Sequence, residues 1–484
     1  MYTWLTLNTS ADLAQLEGHI SGEYDPKGVA ERLVDGISDA VKGVLIEENY
    51  IDKDYRSTYY NFYAKKGQRY RPDCVRLHFF DQTVSFDAHS LRLSCSDRLA
   101  DHYYGYIVLR PTGIATIGRS IVSPDVRRGA RGYIVSAEHK VHLLGYKLLV
   151  EGFPSMDQHN DISVCAHAAC WSILRHYSER YSIYREFYTY DITLMAQEFD
   201  PGGLVPSKGL QLSHAERVFQ EAGAFPVHIT RDGPDDASFF RQISAYVESC
   251  FPLFAAMYRE GHAVAVIGVE RHQVAPPASG GVRFAWDMVA SLIVVDDNEL
   301  PYLSIPARSG SSIYSAEDID AFIVPLPEKI FYPADAVERL APTMFKLGSL
   351  VGLPAENETI IRYFITTGSS LRGFMRERES EYDQKLLETV MLLPFAQFVW
   401  VVEFATEAQW ATGQVAARAV IDATASLREV MPFWLFHSRT HALVFDRQTI
   451  SLELTAGMRG MKLAGMENTA FTRMEQNLRP IRTK

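Results

Sequence analysis

The sequence predicts an α+β chain of three units, on three observations. Its 484 residues are about three times an ordinary domain length. Its composition is 47% hydrophobic and 22% charged, with 31 Gly and 22 Pro. That is an average globular make-up, so disordered, collagen-like and coiled-coil chains are set aside. Stretches with apolar residues at helical spacing alternate with short β-branched and aromatic runs. Changes in character divide the chain at 1–150, 151–332 and 333–484. The two outer units read as α/β or α+β.

Charge and cysteine content narrow the function classes. The net charge is −11, from 48 Lys and Arg against 59 Asp and Glu. Such a chain is a poor default partner for phosphate backbones, so nucleic acid is not expected. The N-terminus lacks a basic region followed by an apolar one. The longest apolar stretch, 390–402, is broken by Pro394 and Gln397. It falls short of the roughly 20 residues a span needs. The five cysteines (Cys74, Cys95, Cys165, Cys170, Cys250) form neither a disulfide framework nor a CxxC pair. The expectation is a soluble cytoplasmic protein without a membrane partner, in which each cysteine serves packing or chemistry.

The first unit mixes helix and strand. Residues 29–41 carry apolar side chains at helical spacing, and 106–109 and 132–135 read as strands. The aromatic run 50–70 reads as a helix with a tyrosine-rich packed face. The Arg127, Arg128 and Arg131 segment reads as a solvated loop.

At 165–177 the pattern turns helical, with Ala169, Ile173 and Tyr177 on one face. Ser163 is the expected N-cap, which places Cys165 in the first turn near the positive end of the helix dipole. There a thiolate is favoured. Cys170 lies about 140° around the helix, so one cysteine should face a cleft and the other a core. His167 is expected to face solvent.

Further on, 252–258 reads as a strand, Glu260 and Gly261 as a tight turn, and a second strand opens at His262. After a long loop, 270–287, the apolar run 288–295 forms a third strand that ends in Asp296, Asp297 and Asn298. Neighbouring strands would bring His262 and one of these acids to one sheet edge. A carboxylate there can hold the imidazole in one tautomer and stabilise its charged form. Nucleophile, base and orienter then follow in chain order, separated by 97 and 34 residues. Gln158 could donate its amide to an oxyanion.

In the last unit, 398–404 and 415–421 suggest an antiparallel pair, which 434–437 and 442–445 could extend. His437 and His441, with Asp446 nearby, have metal-like spacing. No Glu stands between them and the local pattern is strand, turn, strand, so no metal is expected.

The middle unit resembles a known family. Cys-Ala-x-Ala-Ala-x-x-x-Ile-Leu at 165–174 is similar to the nucleophile helix of papain-like cysteine peptidases. The likeness is greatest to the bacterial branch that includes bacteriocin leader-processing peptidases. The helix, Pro-apolar strand, Gly-His and apolar strand over 245–268 look like that branch's signature, and 210–226 resembles its middle helix and following strand. The resemblance covers about 150–330. It implies a helical half carrying the nucleophile, a β half carrying His and an acid, and a cleft between.

On that basis Cys165 matches the nucleophile, His262 the base, Gln158 the oxyanion donor and Asp296 or Asp297 the orienter, with Asp296 favoured because it follows the strand directly. Ala166 stands where the family usually has Gly, and Gln158 lies one residue further from the Cys than is usual. A rival alignment uses Cys170 and Trp171. The resulting expectation is a cysteine peptidase-like hydrolase acting on a protein or peptide through an amide or isopeptide bond, with no cofactor. A deamidase or acyltransferase on the same residues, or an inactive scaffold of the same fold, are the alternatives. Residues 201–207, with Gly202 and Gly203, could form a mobile wall of the cleft.

Overall fold

The computed structural model describes residues 1–20, 28–67, 69–112, 116–158, 164–196, 210–272, 282–308, 310, 314–328, 330–429, 431–445, 458–464 and 470–481. Ser163, Asp446 and the expected cleft wall at 201–207 lie outside them, as does 273–281 of the long loop.

The architecture is mixed α+β and is organised by three large sheets. The first has seven strands in the spatial order Tyr2–Thr6, Gly43–Tyr50, Cys74–Phe80, Tyr103–Leu109, Ser120–Val122, Tyr146–Ser155, Ala137–Leu143. The second runs Phe225–Thr230, Ala321–Leu326, Leu253–Met257, His262–Arg271, Val289–Val295, Leu303–Pro306. The third runs Arg283–Phe284, Ile360–Thr367, Phe398–Ala405, Ala417–Asp422, Phe433–Ser438, His441–Phe445, Met458–Lys462. Pairing in these sheets is antiparallel except between Arg283–Phe284 and Ile360–Thr367.

Strand alternation explains how the sheets stack. Successive side chains of a strand point to opposite faces. In Phe398–Ala405, Trp400, Val402 and Phe404 join the main core, while Val399 and Val401 join a separate apolar cluster on the other face. The main core runs without a break from Leu7 through Leu174 and Val264 to Trp400 and Leu478. Strand Tyr133–Ile134 pairs with His262–Arg271 on one side and with Arg479–Pro480 on the other. Gly268 makes this pairing possible: a Cβ there would lie 2.3 Å from the Tyr133 carbonyl oxygen. Strand Tyr146–Ser155 crosses residue 150, and Arg283–Phe284 leaves the middle stretch to join the third sheet.

Several local expectations agree with the structure. The aromatic run forms helix Lys53–Asn61 and a short turn, with Tyr55 and Tyr63 buried against the outer face of the first sheet. Strands 398–405 and 417–422 pair antiparallel and are extended by Phe433–Ser438 and His441–Phe445.

Two local expectations are corrected. The helix expected over 29–41 stops at Gly36, because Ile37 turns extended and bridges Arg127. His167 is buried, not solvent-facing. Burial pushes its pKa down to about 4.

Buried neutral histidines set an acid limit. The ring of His176 stacks on Phe153 at 5.0 Å, and neither of its nitrogens has a hydrogen-bond partner. Burial first, then the Arg180 charge, lowers its pKa from 6.5 to about 3. The unfolded chain therefore binds a proton that the folded chain refuses, and stability falls as pH drops below 6.5. At pH 4.5 this amounts to about 2 to 3 kcal/mol. His176→Phe keeps the stacked shape without the titration. Its apparent Tm should fall less between pH 7.5 and 4.5 than that of the parent chain, as measured by calorimetry. Superimposable acid limbs would show that His176 does not contribute.

Candidate active site

Cys165 opens helix Cys165–Arg180. Val164 is the N-cap, in extended conformation, and has no side chain able to cap. The third helical residue does the work instead: Nδ1 of His167 accepts the Val164 N–H at 3.3 Å. This is the reason for the burial of His167, and it keeps the first turn closed beneath Cys165. Residues 166–177 are buried throughout, so small Ala166, Ala168 and Ala169 let the helix seat closely on the second sheet. Cys165 is half-buried, whereas Cys170 is fully buried and its thiol is pushed up by burial and then by Cys165. The two cysteines divide as their angular separation requires.

His262 is the first residue of its strand. Gly261, with φ +59°, turns the chain into it, a backbone conformation that favours glycine. The strand Val289–Val295 runs antiparallel beside it, with Ala265 opposite Val295. That register carries the residues just after Val295 to the end of the sheet where His262 begins.

Asp296 is the acid that meets the ring. Its Oδ2 lies 3.0 Å from His262 Nε2, whereas Asp297 Oδ1 is 3.9 Å away. Cys165 also acts on this imidazole, raising its pKa together with Asp296. The structure thus brings Cys165, His262 and Asp296 together at one site.

The electrostatics follow from these contacts. Burial alone would lower the pKa of His262. Hydrogen bonds to Asp296 and Cys165, with the charges behind them, raise it from 6.5 to about 10. Burial works on Asp296 in the opposite sense. It is outweighed by His262, the Tyr314 hydroxyl and the Asn298 N–H, which hold the carboxyl below its ordinary value. Imidazolium and carboxylate therefore coexist at neutral pH.

Asp296 is held by four donors. His262 and the Tyr314 hydroxyl donate to Oδ2. The backbone N–H of Asn298 donates to Oδ1 at 2.8 Å and its side-chain amide does so at 3.3 Å. The Tyr314 ring also stands edge-on to the imidazole at 5.9 Å. Asp297 is buried beside this group, and neither of its carboxylate oxygens bonds another described residue. Burial first, then the charge of Asp296, raises its pKa to about 7.

Gln158 is placed by its backbone. Its carbonyl accepts from Arg110 Nη2 at 3.4 Å, and the preceding carbonyl of Asp157 accepts from the same nitrogen at 3.0 Å. Arg32 joins this segment to the acid loop, with Nη2 on Asp157 Oδ2 at 2.7 Å and Nη1 on the Asn298 carbonyl at 2.5 Å. Among the described residues the Gln158 side-chain amide makes no hydrogen bond.

Tyr314, Asn298 and Arg32 escaped the sequence reading. Asn298 was visible only as part of a turn, and its N–H does close an Asx turn on Asp296. Arg32 showed only as a polar position on an amphipathic helix. Tyr314, 18 residues past Asp296, carried no signal.

Other sequence candidates resolve differently. His437 lies in a buried strand next to Arg418, and His441 opens the following strand, as the strand, turn, strand pattern implied. Among the described residues, His262, Asp296 and Asp297 are the group whose ligand atoms fall within 4.8 Å of one another, close enough to hold a cation. No described helix is long and apolar enough to cross a membrane. No family model matches the chain, and searches of curated proteins and of solved structures found no match.

Proposed function

We propose that the chain is a papain-like thiol hydrolase that cleaves a peptide or isopeptide bond. The observation that carries this reading is the grouping of Cys165, His262 and Asp296, with Asp296 on the imidazole and the thiol at a helix start. A cationic imidazole beside a helix N-terminus is a general setting for a reactive thiolate. The buried helix against an antiparallel sheet supports the two-lobed arrangement that the sequence resemblance implies.

In this reading the Cys165 sulfur attacks the scissile carbonyl carbon. The carbonyl π pair moves to oxygen, where the N–H groups at the helix start and the Gln158 amide offer donors. His262 passes its proton to the leaving amine as the C–N bond breaks, leaving a thioester. Water then adds to the thioester carbonyl, giving its proton to His262, and the C–S bond breaks to restore the thiolate. Asp296 keeps the ring oriented through both steps.

An iodoacetamide or vinyl-sulfone probe should label the parent chain at Cys165, with or without a chelator, and Cys165→Ala should abolish labelling. Labelling that survives in that variant and disappears when Cys170 is changed would overturn the assignment. Product analysis with an added amine separates hydrolysis from acyl transfer.

A further inference from the structure

At the far end of the His262 strand lies a second cleft. The strand's ten residues place Arg271 about 30 Å from His262. The cleft has a volume of about 500 Å³ and is walled by Arg131, Tyr133, Arg271, His272, Trp410 and Arg473, among others.

Arg271 and Arg473 of its wall belong to a buried network of uneven charge. Arg271, Arg362, Arg418 and Arg473 are buried in one ion network with only three carboxylates, Glu248, Glu403 and Glu475. One oxygen, Glu475 Oε1, serves both Arg271 at 2.6 Å and Arg473 at 2.7 Å. The Nε of Arg271 has no hydrogen-bond partner, although its side chain is only 8% exposed.

The crowding is felt at Arg473. Burial, then the neighbouring Arg271 charge, pulls its pKa down in spite of Glu475. At the rim Glu407 is turned to Arg283 at 3.0 Å, and Glu270 is the other acid of the lining, set against Arg131, Arg271 and Arg473. Arg473 lies over the Trp410 ring at 4.5 Å, and Arg271 over Tyr133 at 4.6 Å, so both guanidiniums are held in place.

We infer that this cleft binds a small anion carrying a phosphoryl or carboxylate group, which supplies the missing negative charge between Arg131, Arg271 and Arg473. The site is separate from the Cys165 group and does not depend on its chemistry. Fixed, desolvated guanidiniums are suited to such oxygens because they present several N–H donors in a rigid fork.

The test is a titration of the full chain with inorganic phosphate, and separately with citrate, at constant ionic strength set by NaCl. It is read by apparent Tm and by tryptophan fluorescence. A saturable rise in Tm with either anion is expected, since a ligand of the folded state stabilises by mass action. Arg131→Gln, at the exposed rim, should weaken the apparent Kd by roughly tenfold or more. Trp410→Phe should remove the fluorescence change and leave the Tm response. An equal response to NaCl alone, no saturation with either anion, or an unchanged Kd in Arg131→Gln would each overturn the site.

Discussion

Asp296→Ala is expected to slow alkylation of Cys165 by iodoacetamide at pH 6 by roughly 10- to 100-fold, the range for losing a hydrogen bond to a charged group. The change removes the acceptor for His262 and for the Tyr314 hydroxyl, and leaves both Asn298 donors without theirs. Burial is the largest influence on His262 and lowers its pKa. Once the carboxylate is gone, the imidazole should no longer hold its proton up to about pH 10. Asp296→Asn keeps an acceptor without the charge, so rates should order as parent, then Asn, then Ala. Parent-like alkylation in the Ala variant would remove Asp296 from the site.

The same pair makes a signed prediction for stability. The His262 pKa is raised above the unfolded value of 6.5. Its stabilisation is therefore complete below that pH and fades as pH climbs through about 10. The stability gap between the parent and His262→Ala should close over that interval. A gap that widens with pH would contradict the ion pair.

Glu403→Gln is expected to cost about 3 to 5 kcal/mol, the range for breaking a buried ion pair from one side. Glu403 is almost fully buried and accepts from Arg362 Nη1 at 2.8 Å, Arg418 Nη2 at 2.8 Å and the Met474 N–H at 3.0 Å. Strand register creates this row, since Arg362 pairs with Glu403 and Glu403 with Arg418. Alternating signs across neighbouring strands are favourable, and removing the middle charge leaves buried Arg418 without a carboxylate among the described residues and Arg362 with Glu248 alone. Urea unfolding would measure the loss, and a change under 1 kcal/mol would show that the row is hydrated or rearranges. Replacing Arg362, Glu403 and Arg418 together by apolar residues of similar volume should cost far less than Glu403→Gln, because no charge is then left uncompensated.

The row also shows where sequence reading stops. Arg362, Glu403 and Arg418 each interrupt an apolar run, and nothing local says that they will meet. Register between strands decides it, and register is a property of the assembled sheet. The same holds for Tyr314 and Arg32, which reach the Asp296 loop from distant parts of the chain. The misreading of His167 has a different cause. Helical periodicity assigns a face, but here the whole first turn is covered by packing, and the ring found a local backbone donor in Val164.

What the sequence determined by itself was local and periodic. Apolar spacing placed the Cys165 helix, the His262 strand and the strand ending at Asp296, and the resemblance of 165–174 to the papain-like helix favoured Cys165 over Cys170. These features depend on contacts a few residues apart, so composition and spacing suffice to find them. The tertiary structure decided which acid reaches the imidazole, which groups hold that acid, and how arginines from three strands and the chain's end gather around too few carboxylates. Those outcomes depend on strand register and on burial, which set the distances between charges and the strength of their fields, and neither exists until the sheets are stacked.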